Sequence, residues 1–461
     1  VTPDELADAV IRLVAELADS RGLDRASLPD VRIERPKSRD HGDYATNVAL
    51  ALAKQAGIPP RELAQILADG LAQVPGIATA EVAGPGFVNV RLESAAQGEL
   101  ARTAVEAGEK WGHGTALAGR VANVEFISAN PTGPIHLGHT RWAAVGDAIA
   151  RVLAAAGAEV SKEFYINDRG VQMDRFGASV MAAANGRPVP EDGYHGAYIL
   201  ELAAEIVDAD PSLTSLPDDE QMIAFREAAY ALQLDQQRKV LGLFRTHFDV
   251  WASERSLHES GAVERGLARL REQGHVFEQD GAVWLRTTDF GDDKDRVLVK
   301  ADGSYTYFAS DTAYYVDKRL RGFDLNIYLL GADHHGYVNR LRAVAACAGD
   351  DMDENVEVLI GQLVKITRDG EEVKLSKRAG TIVTLDDLVE EVGVDAARYT
   401  LSRYPADSPL TLDLAEMIKA TSDNPVFYVQ YAHARIASVL RNAEELGIDW
   451  RAADFDPSLL D

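Results

Sequence analysis

Apolar positions change period along the 461 residues, and each change marks an element or a boundary. Thr2-Pro3-Asp4-Glu5 supplies an N-cap, a proline at the first helical position and a capping-box glutamate, which predicts a helix to about Asp19. Val31 to Pro36 alternates as a short strand. Ala45 to Gln55 and Arg61 to Leu71 carry helical stripes, and Ala80 to Leu92 reads as a hairpin turning at Gly84-Pro85-Gly86. No helix follows that turn at once, so its glycines are not a dinucleotide fingerprint. Residues 1–110 therefore read as a small α+β domain.

From about residue 111 strand-like and helical patterns alternate, the mark of an α/β fold with a doubly wound parallel sheet. Val121 to Ile127 has the β-branched bias of a buried strand, and Trp142, Val145, Ile149, Val152 and Leu153 form a helical stripe that stops at Gly157. Val160 to Ile166 is a second strand, ending at Asn167-Asp168-Arg169-Gly170. The rhythm breaks at about 185–287, where helices around Tyr198 to Val207 and Gln221 to Phe244 precede a strand-like Ala282 to Arg286, and this block reads as an insertion. The sheet is expected to resume with a strand at Tyr305 to Phe308, a helix from Asp311 to Arg319 and a strand at Leu325 to Leu330, closed by Gly331 to Tyr337. Val364 to Leu375 alternates around Asp369-Gly370, a hairpin signal. The expected catalytic domain is thus 111–385. The remainder, 386–461, is helical, with Asn424-Pro425 opening a helix over Val426 to Leu446.

Composition narrows the classes. Hydrophobic residues at 46% and charged residues at 26% describe an ordinary globular protein, and Asp147 and Arg151 interrupt even the most apolar helix, so no membrane span is expected. The amphipathic start lacks the apolar core of a secretory signal, and a single cysteine, Cys347, excludes an internal disulfide or a cysteine-rich zinc module. A cytoplasmic protein is the expectation. With 47 Lys and Arg against 73 Asp and Glu, the net charge of −26 argues against indiscriminate nucleic-acid binding. Any RNA contact must be confined to local patches.

The candidate chemistry lies in Ser128-Ala129-Asn130-Pro131-Thr132-Gly133-Pro134-Ile135-His136-Leu137-Gly138-His139, between a strand and a helix. Unpaired N–H groups and the dipole at that helix N-terminus favour phosphate. Gly138 removes a side chain between His136 and His139, so a nucleotide can approach two imidazoles. A His-x-x-His metal pair would want a third ligand, and none is visible nearby. His334 and His335 close a later strand; adjacent side chains diverge there, so they are not expected to share a metal, and at least one is expected in the ligand cleft. The basic run Lys374-Leu375-Ser376-Lys377-Arg378-Ala379-Gly380-Thr381 alone reads as an exposed turn. Placed after a second half-sheet in a chain with the histidine loop, it reads as a second phosphate loop.

The histidine loop resembles the HIGH signature of class I aminoacyl-tRNA synthetases, and the longer run Val124 to His139 resembles the arginyl-tRNA synthetase version. The basic run resembles the KMSKS signature, with Leu375 where methionine is common. His41-Gly42-Asp43-Tyr44-Ala45 and Gly84-Pro85-Gly86-Phe87 resemble that family's N-terminal addition, and Asn424 to Arg435 resembles the first helix of its anticodon-binding bundle. Such a bundle needs several helices, so the chain is expected to be C-terminally incomplete.

The resemblance implies a Rossmann-like catalytic domain that uses ATP with Mg2+ to activate L-arginine and then charges tRNA(Arg), with activation dependent on bound tRNA, in a monomer. It implies catalytic roles for His136, His139 and Lys377. ATP contacts would come from these and from Gly138, Gly331, Asp333, Lys374 and Ser376. Arginine contacts would come from Glu125, Ser128, Asn130, Tyr307 and Asp311, and tRNA contacts from Tyr44, Tyr431 and Arg435. A guanidinium calls for a carboxylate placed for paired hydrogen bonds, which is the role implied for Asp311; Asp311 as a helix N-cap and Glu125 as a structural charge partner are the competing readings. A small nucleotidyl transferase of the same fold and a non-catalytic tRNA-binding relative are the alternatives.

Overall fold

The computed structural model describes residues 1–372, 384–422, 424–452 and 456. Two compact units emerge, Val1–Gly112 with Val439–Asp461, and His113–Ser438.

In the first unit α1 (Pro3–Arg21) starts at the Thr2 cap with the Thr2–Glu5 capping box formed. Then come β1 (Ile33–Glu34), β2 (Tyr44–Thr46), α2 (Val48–Ala56), α3 (Pro60–Leu71), β3 (Ile77–Ala83), β4 (Phe87–Leu92) and α4 (Ser94–Ala107). The strands pair antiparallel in the order β1-β2-β4-β3, and Leu6, Val10, Leu52, Leu67, Val88 and Val90 fill the core beneath them. Ala45 and Thr46, expected in a helix, belong to β2 instead. The turn before them is fixed by Gly42, whose φ is +96° and where a Cβ would lie 2.6 Å from the Val90 carbonyl oxygen. Only glycine fits both demands.

The second unit is built on a five-stranded sheet. In chain order it carries β5 (Val121–Glu125), α5 (Leu137–Ala155), β6 (Glu159–Ile166), α6 (Val171–Ala184), α7 (Ala197–Ala209), α8 (Asp218–Leu243) and β7 (Val250–Ser253). Next come α9 (Glu254–Glu259), α10 (Ala262–Glu272), β8 (Val276–Gln279), β9 (Ala282–Leu285), β10 (Arg296–Val299), α11 (Tyr307–Leu320), β11 (Leu325–Gly331), α12 (Val338–Cys347) and β12 (Val356–Gly361). All neighbours in the order β12-β11-β5-β6-β7 are parallel. From β5 the chain winds outward first through β6 and β7, then returns beside β5 as β11. The carboxyl ends of β5 and β11 therefore flank the crevice where strand order reverses, the usual ligand position in such sheets.

Two expectations need correction. The block 185–287 is not wholly an insertion, because Val250–Ser253 is the sheet's edge strand; four half-buried residues have no apolar run to announce them. Nor is Tyr305 to Phe308 a strand. Thr306 accepts a hydrogen bond from the Ala309 N–H and caps α11, so Tyr307 and Phe308 form its first turn.

Of the hairpin expected over Val364 to Leu375, the part up to Glu372 is present as β13 (Val364–Arg368) and β14 (Glu371–Glu372), with Asp369 and Gly370 both at positive φ; the rest lies outside the described residues. Beyond it lie α13 (Leu385–Val392), α14 (Val394–Arg403), β15 (Leu410–Asp413), α15 (Leu414–Met417) and α16 (Pro425–Glu445). Two polar ties lock α5 into this framework. Arg141 is buried and donates to the carbonyls of Pro405 and Ser408 at 2.6 Å each. Asp147, fully buried, accepts from Arg398 of α14 at 2.6 Å, Arg151 at 2.8 Å and Lys162 of β6 at 2.9 Å. A buried charge so heavily paired is costly to disturb, which holds the middle of α5 against β6 and α14.

Candidate active site

The strand-loop-helix unit at 121–155 sets the site. Directly after β5 the backbone takes two left-handed residues, Ile127 at φ 70° and Ser128 at φ 44°. A β-branched residue there is strained, and such strain persists only where the surroundings impose it. The turn lets the Ser128 hydroxyl donate to Glu125 Oε1 at 3.2 Å while Ser128 Oγ itself accepts from the Tyr165 N–H at 3.1 Å. Further along, Gln237 holds the carbonyls of Asn130 and Gly133 at 3.0 and 2.8 Å, and Asn130 itself is exposed.

His136 is the N-cap of α5, its Nδ1 accepting from the Gly138 N–H at 3.1 Å. That bond leaves the ring proton on Nε2, free to donate outward. His139 lies with its ring centroid 3.9 Å from that of His136, the planes 36° apart. Burial pushes the His139 imidazole down to about 3, with the nearby His136 adding to the effect, and burial lowers His136 as well. Both rings are therefore neutral near pH 7. His139 Nδ1 is buried without a hydrogen-bond partner among the described residues. A Cβ on Gly138 would lie 2.9 Å from His136 Cε1, so glycine is what lets the two rings stand together at the helix end.

Lys374, Ser376 and Lys377 lie outside the described residues. The chain on the far side of that run is described, and it touches the histidine loop. Thr384 forms an isolated antiparallel bridge with His136, and the Leu385 N–H donates to the Ile135 carbonyl at 2.8 Å. Gly331 ends β11, and Asp333 follows with its side chain exposed, 3.5 Å from His334 Nε2. His335, unlike His334, lines a cavity of about 890 Å3 together with Trp142, Val338, Gln362 and Asp407.

Around Glu125 a second group assembles, made mostly of carboxylates. Asp311 is on the second turn of α11, not at its cap, and accepts from the Tyr337 hydroxyl. Burial raises its carboxyl to about 6, the Tyr337 hydrogen bond working against this and Glu125 adding to it. Glu254, the first residue of α9, is raised to about 7 by burial and then by Asp311, with a hydrogen bond from Tyr165 opposing. Neither Glu254 nor Tyr337 was among the residues expected from the sequence. A first-turn acid after Ser253 looks like routine capping, so Glu254 carries no local signal. Tyr307 is 72% exposed at the start of α11. Glu125 is nearly buried and already bound to Lys318, Nζ to Oε2 at 2.6 Å. Among the described residues no group of three or more His, Cys, Asp or Glu side chains is arranged for a metal ion.

The residues expected to touch RNA divide. Tyr44, only 4% exposed, packs in the core of the first unit and offers RNA no face there, with the Arg35 guanidinium 5.8 Å from its ring centroid. Tyr431 is half exposed on α16 and accepts from Arg435 Nη1 at 2.9 Å; Tyr428 and Ile436 on the same helix are also exposed.

Comparison with known proteins finds similar sequences and similar folds. Residues 4–92 match the family model described as the arginyl tRNA synthetase N terminal domain, and residues 109–192 and 213–437 match that of the class I (R) tRNA synthetase catalytic domain. The chain is 56% identical over 464 residues to an arginine-tRNA ligase of Paenarthrobacter aurescens, covering 100% of this chain and 83% of that one. It is 57% identical over 460 residues to one of Frankia alni, with the same coverage. In fold it is similar to the arginyl-tRNA synthetase of Thermus thermophilus, with a TM-score of 0.73 at 23% identity over 96% of this chain and 82% of that one.

Proposed function

The chain belongs to the arginyl-tRNA synthetase family, and from that premise we propose how the residues of the cleft divide the reaction among themselves. The reaction joins L-arginine to tRNA(Arg): ATP and arginine give arginyl adenylate and pyrophosphate, then the arginyl group passes to the 3' terminal ribose and AMP leaves. Neither a small nucleotidyl transferase nor a non-catalytic relative finds support among the similar proteins.

In the first step a carboxylate oxygen of arginine attacks the α-phosphorus in line, the bond to the bridging oxygen breaks, and pyrophosphate departs with its electron pair. The protein's task is placement and charge stabilisation. The observation that carries this reading is the close pair of neutral histidines at the N-terminus of α5. Neutral imidazoles donate N–H groups to phosphate oxygens without competing for a proton. Gly138, Gly331 and Asp333 line the nucleotide, and ATP carries Mg2+ on its phosphates. Lys374, Ser376 and Lys377 take the departing pyrophosphate, the role their resemblance to the KMSKS signature implies.

Asp311 and Glu254 receive the guanidinium, whose planar fork suits paired carboxylate oxygens, with Tyr307 at the mouth of the pocket. Glu125, Ser128 and Asn130 attend the α-ammonium end. Tyr431 and Arg435 present an exposed ring and guanidinium on which tRNA can stack. Activation proceeds with tRNA bound. All reacting groups come from one chain, so a monomer suffices, working in the cytoplasm where tRNA is charged. ATP-pyrophosphate exchange with each standard amino acid, with and without tRNA, tests the reading. Exchange with arginine alone, dependent on tRNA, is expected; equal exchange with other amino acids would overturn it.

A further inference from the structure

Helix α11 presents Tyr307, Asp311, Tyr314 and Lys318 at intervals of four, three and four residues, a single helical face. Exposure falls along that face, from Tyr307 at 72% to Tyr314 at 6% and Lys318 at 0%. A lysine buried that completely needs a partner, since an unpaired ammonium in the interior costs several times what a surface charge does. Its Nζ sits 4.1 Å from the ring centroid of Tyr328 and 4.5 Å from that of Tyr314, and 2.6 Å from Glu125 Oε2. The neighbouring carboxylate, Glu163, is occupied elsewhere: it takes both Nη atoms of Arg321 at 2.9 and 2.8 Å, the Tyr314 hydroxyl at 2.6 Å and Asn123 at 2.6 Å. The Lys318 charge also helps to hold Glu163 ionised, but Glu125 is the carboxylate to which its ammonium hydrogen-bonds.

That hydrogen bond restricts what Glu125 can do. A guanidinium laid across both of its oxygens would come up against the Lys318 ammonium, a like-charge contact. Oε1 is the oxygen left toward Ser128 and the histidine loop. Arginine's carboxylate must sit at the α-phosphorus beside His136, and its α-ammonium is one carbon away from that carboxylate. Glu125 stands on the same strand-and-loop unit.

We propose that Lys318 is a positioning residue for substrate recognition: it pins Glu125 by Oε2 so that Oε1 is presented to the α-ammonium of arginine, leaving the guanidinium to Asp311 and Glu254. The proposal rests on the reading that Glu125 meets bound arginine. Lys318 touches no substrate and acts only through Glu125.

Arginine and ATP KM, kcat and melting temperature are measured for Lys318→Met, Lys318→Arg, Glu125→Gln and the double variant Lys318→Met/Glu125→Gln. Inhibition by 5-guanidinopentanoate, which is arginine without its α-ammonium, is measured on each. Lys318→Met should raise arginine KM about tenfold or more with ATP KM nearly unchanged, and Lys318→Arg should restore most of the loss. Inhibition by 5-guanidinopentanoate should barely change, because it lacks the group that Glu125 receives. The double variant, with no charge left unpaired, should melt near the wild-type temperature and still bind arginine poorly. If Lys318→Met melts early but, when folded, discriminates arginine from 5-guanidinopentanoate as the wild type does, Lys318 only holds the fold and the proposal fails. Recovery of arginine binding in the double variant would also overturn it. If Glu125→Gln binds arginine normally, it is the underlying reading of Glu125 that fails. Impaired Glu125→Gln beside normal Lys318→Met rejects the role of Lys318 alone.

Discussion

His136 and Thr384 pair backbone to backbone as an isolated antiparallel bridge, so the chain returning from the basic run is fastened to the N-cap of the signature helix. The Leu385 N–H to Ile135 carbonyl bond, 2.8 Å long, reinforces the fastening. Thr384 is also the N-cap of α13, with a reciprocal capping box to Asp387. One residue thus starts a helix and pairs with a histidine, a few positions after the basic run in sequence. A substitution that loosens Thr384 should therefore act on the chemistry. Thr384→Ala removes the side-chain half of the capping box, costing about 1 kcal/mol of stability, and should lower exchange activity beyond what that loss explains. Melting and exchange measured on the same preparation separate the two effects.

If His139 donates to the phosphates as proposed, His139→Ala, which leaves no donor, should cut kcat by about a hundredfold or more, with modest change in ATP KM. Single-turnover formation of arginyl adenylate reads the effect directly. Because His139 is neutral down to about pH 3, its contribution should not titrate across the working range.

The pH dependence should come instead from Asp311 and Glu254, raised to about 6 and about 7. Each must be ionised to hold a guanidinium, so arginine affinity should weaken as pH falls through that interval. Stability moves the other way. A carboxyl whose folded pKa lies above its unfolded value stabilises the fold at low pH, and that contribution is lost as pH rises through the folded value. The free enzyme should therefore lose melting temperature from these two groups between about pH 4 and pH 7, and saturating arginine should restore more of it at the upper end than at the lower. Thermal melts with and without arginine across that range check both signs.

Much of the site was legible because its signals are local. The β-branched run before Ser128, the Gly and Pro residues of the loop and the stripe from Trp142 each reported one element, and together they placed His136 at a helix N-terminus on a sheet edge. The Asp369-Gly370 turn was legible for the same reason. What escaped depends on contacts distant in sequence. Val250–Ser253 is too short and too evenly half-buried to read as a strand. The cap at Thr306 lies inside an aromatic run that alternates like a strand, so the start of α11 was displaced. Glu254 gains its character only from Asp311, Tyr165 and burial. The tRNA role of Tyr44 was implied by resemblance alone, and only the packing of β2 against the helices shows it to be core. Lys318 was readable in principle, as a lysine on the buried stripe of α11.

Gly42→Ala should destabilise the first unit by more than about 1 kcal/mol, because the residue is at positive φ and its new Cβ would meet the Val90 carbonyl oxygen. Proteolysis of this variant should begin within residues 1–112. Adenylate formation tested on the same preparation shows how far the two units depend on one another.

Exchange kinetics of Asp311→Asn read whether buried carboxylates recognise the arginine side chain. Since Thr306 caps α11, the substitution removes no cap, and melting should barely change. The expected result is a fall in kcat/KM for arginine of at least about a hundredfold, roughly 3 kcal/mol, carried mainly by arginine KM, with ATP KM unaffected. Citrulline, which has the shape without the charge, should lose far less of its already weak activity. An Asp311→Asn enzyme that exchanges pyrophosphate with arginine at the wild-type kcat/KM would contradict the assignment of the guanidinium to this pocket.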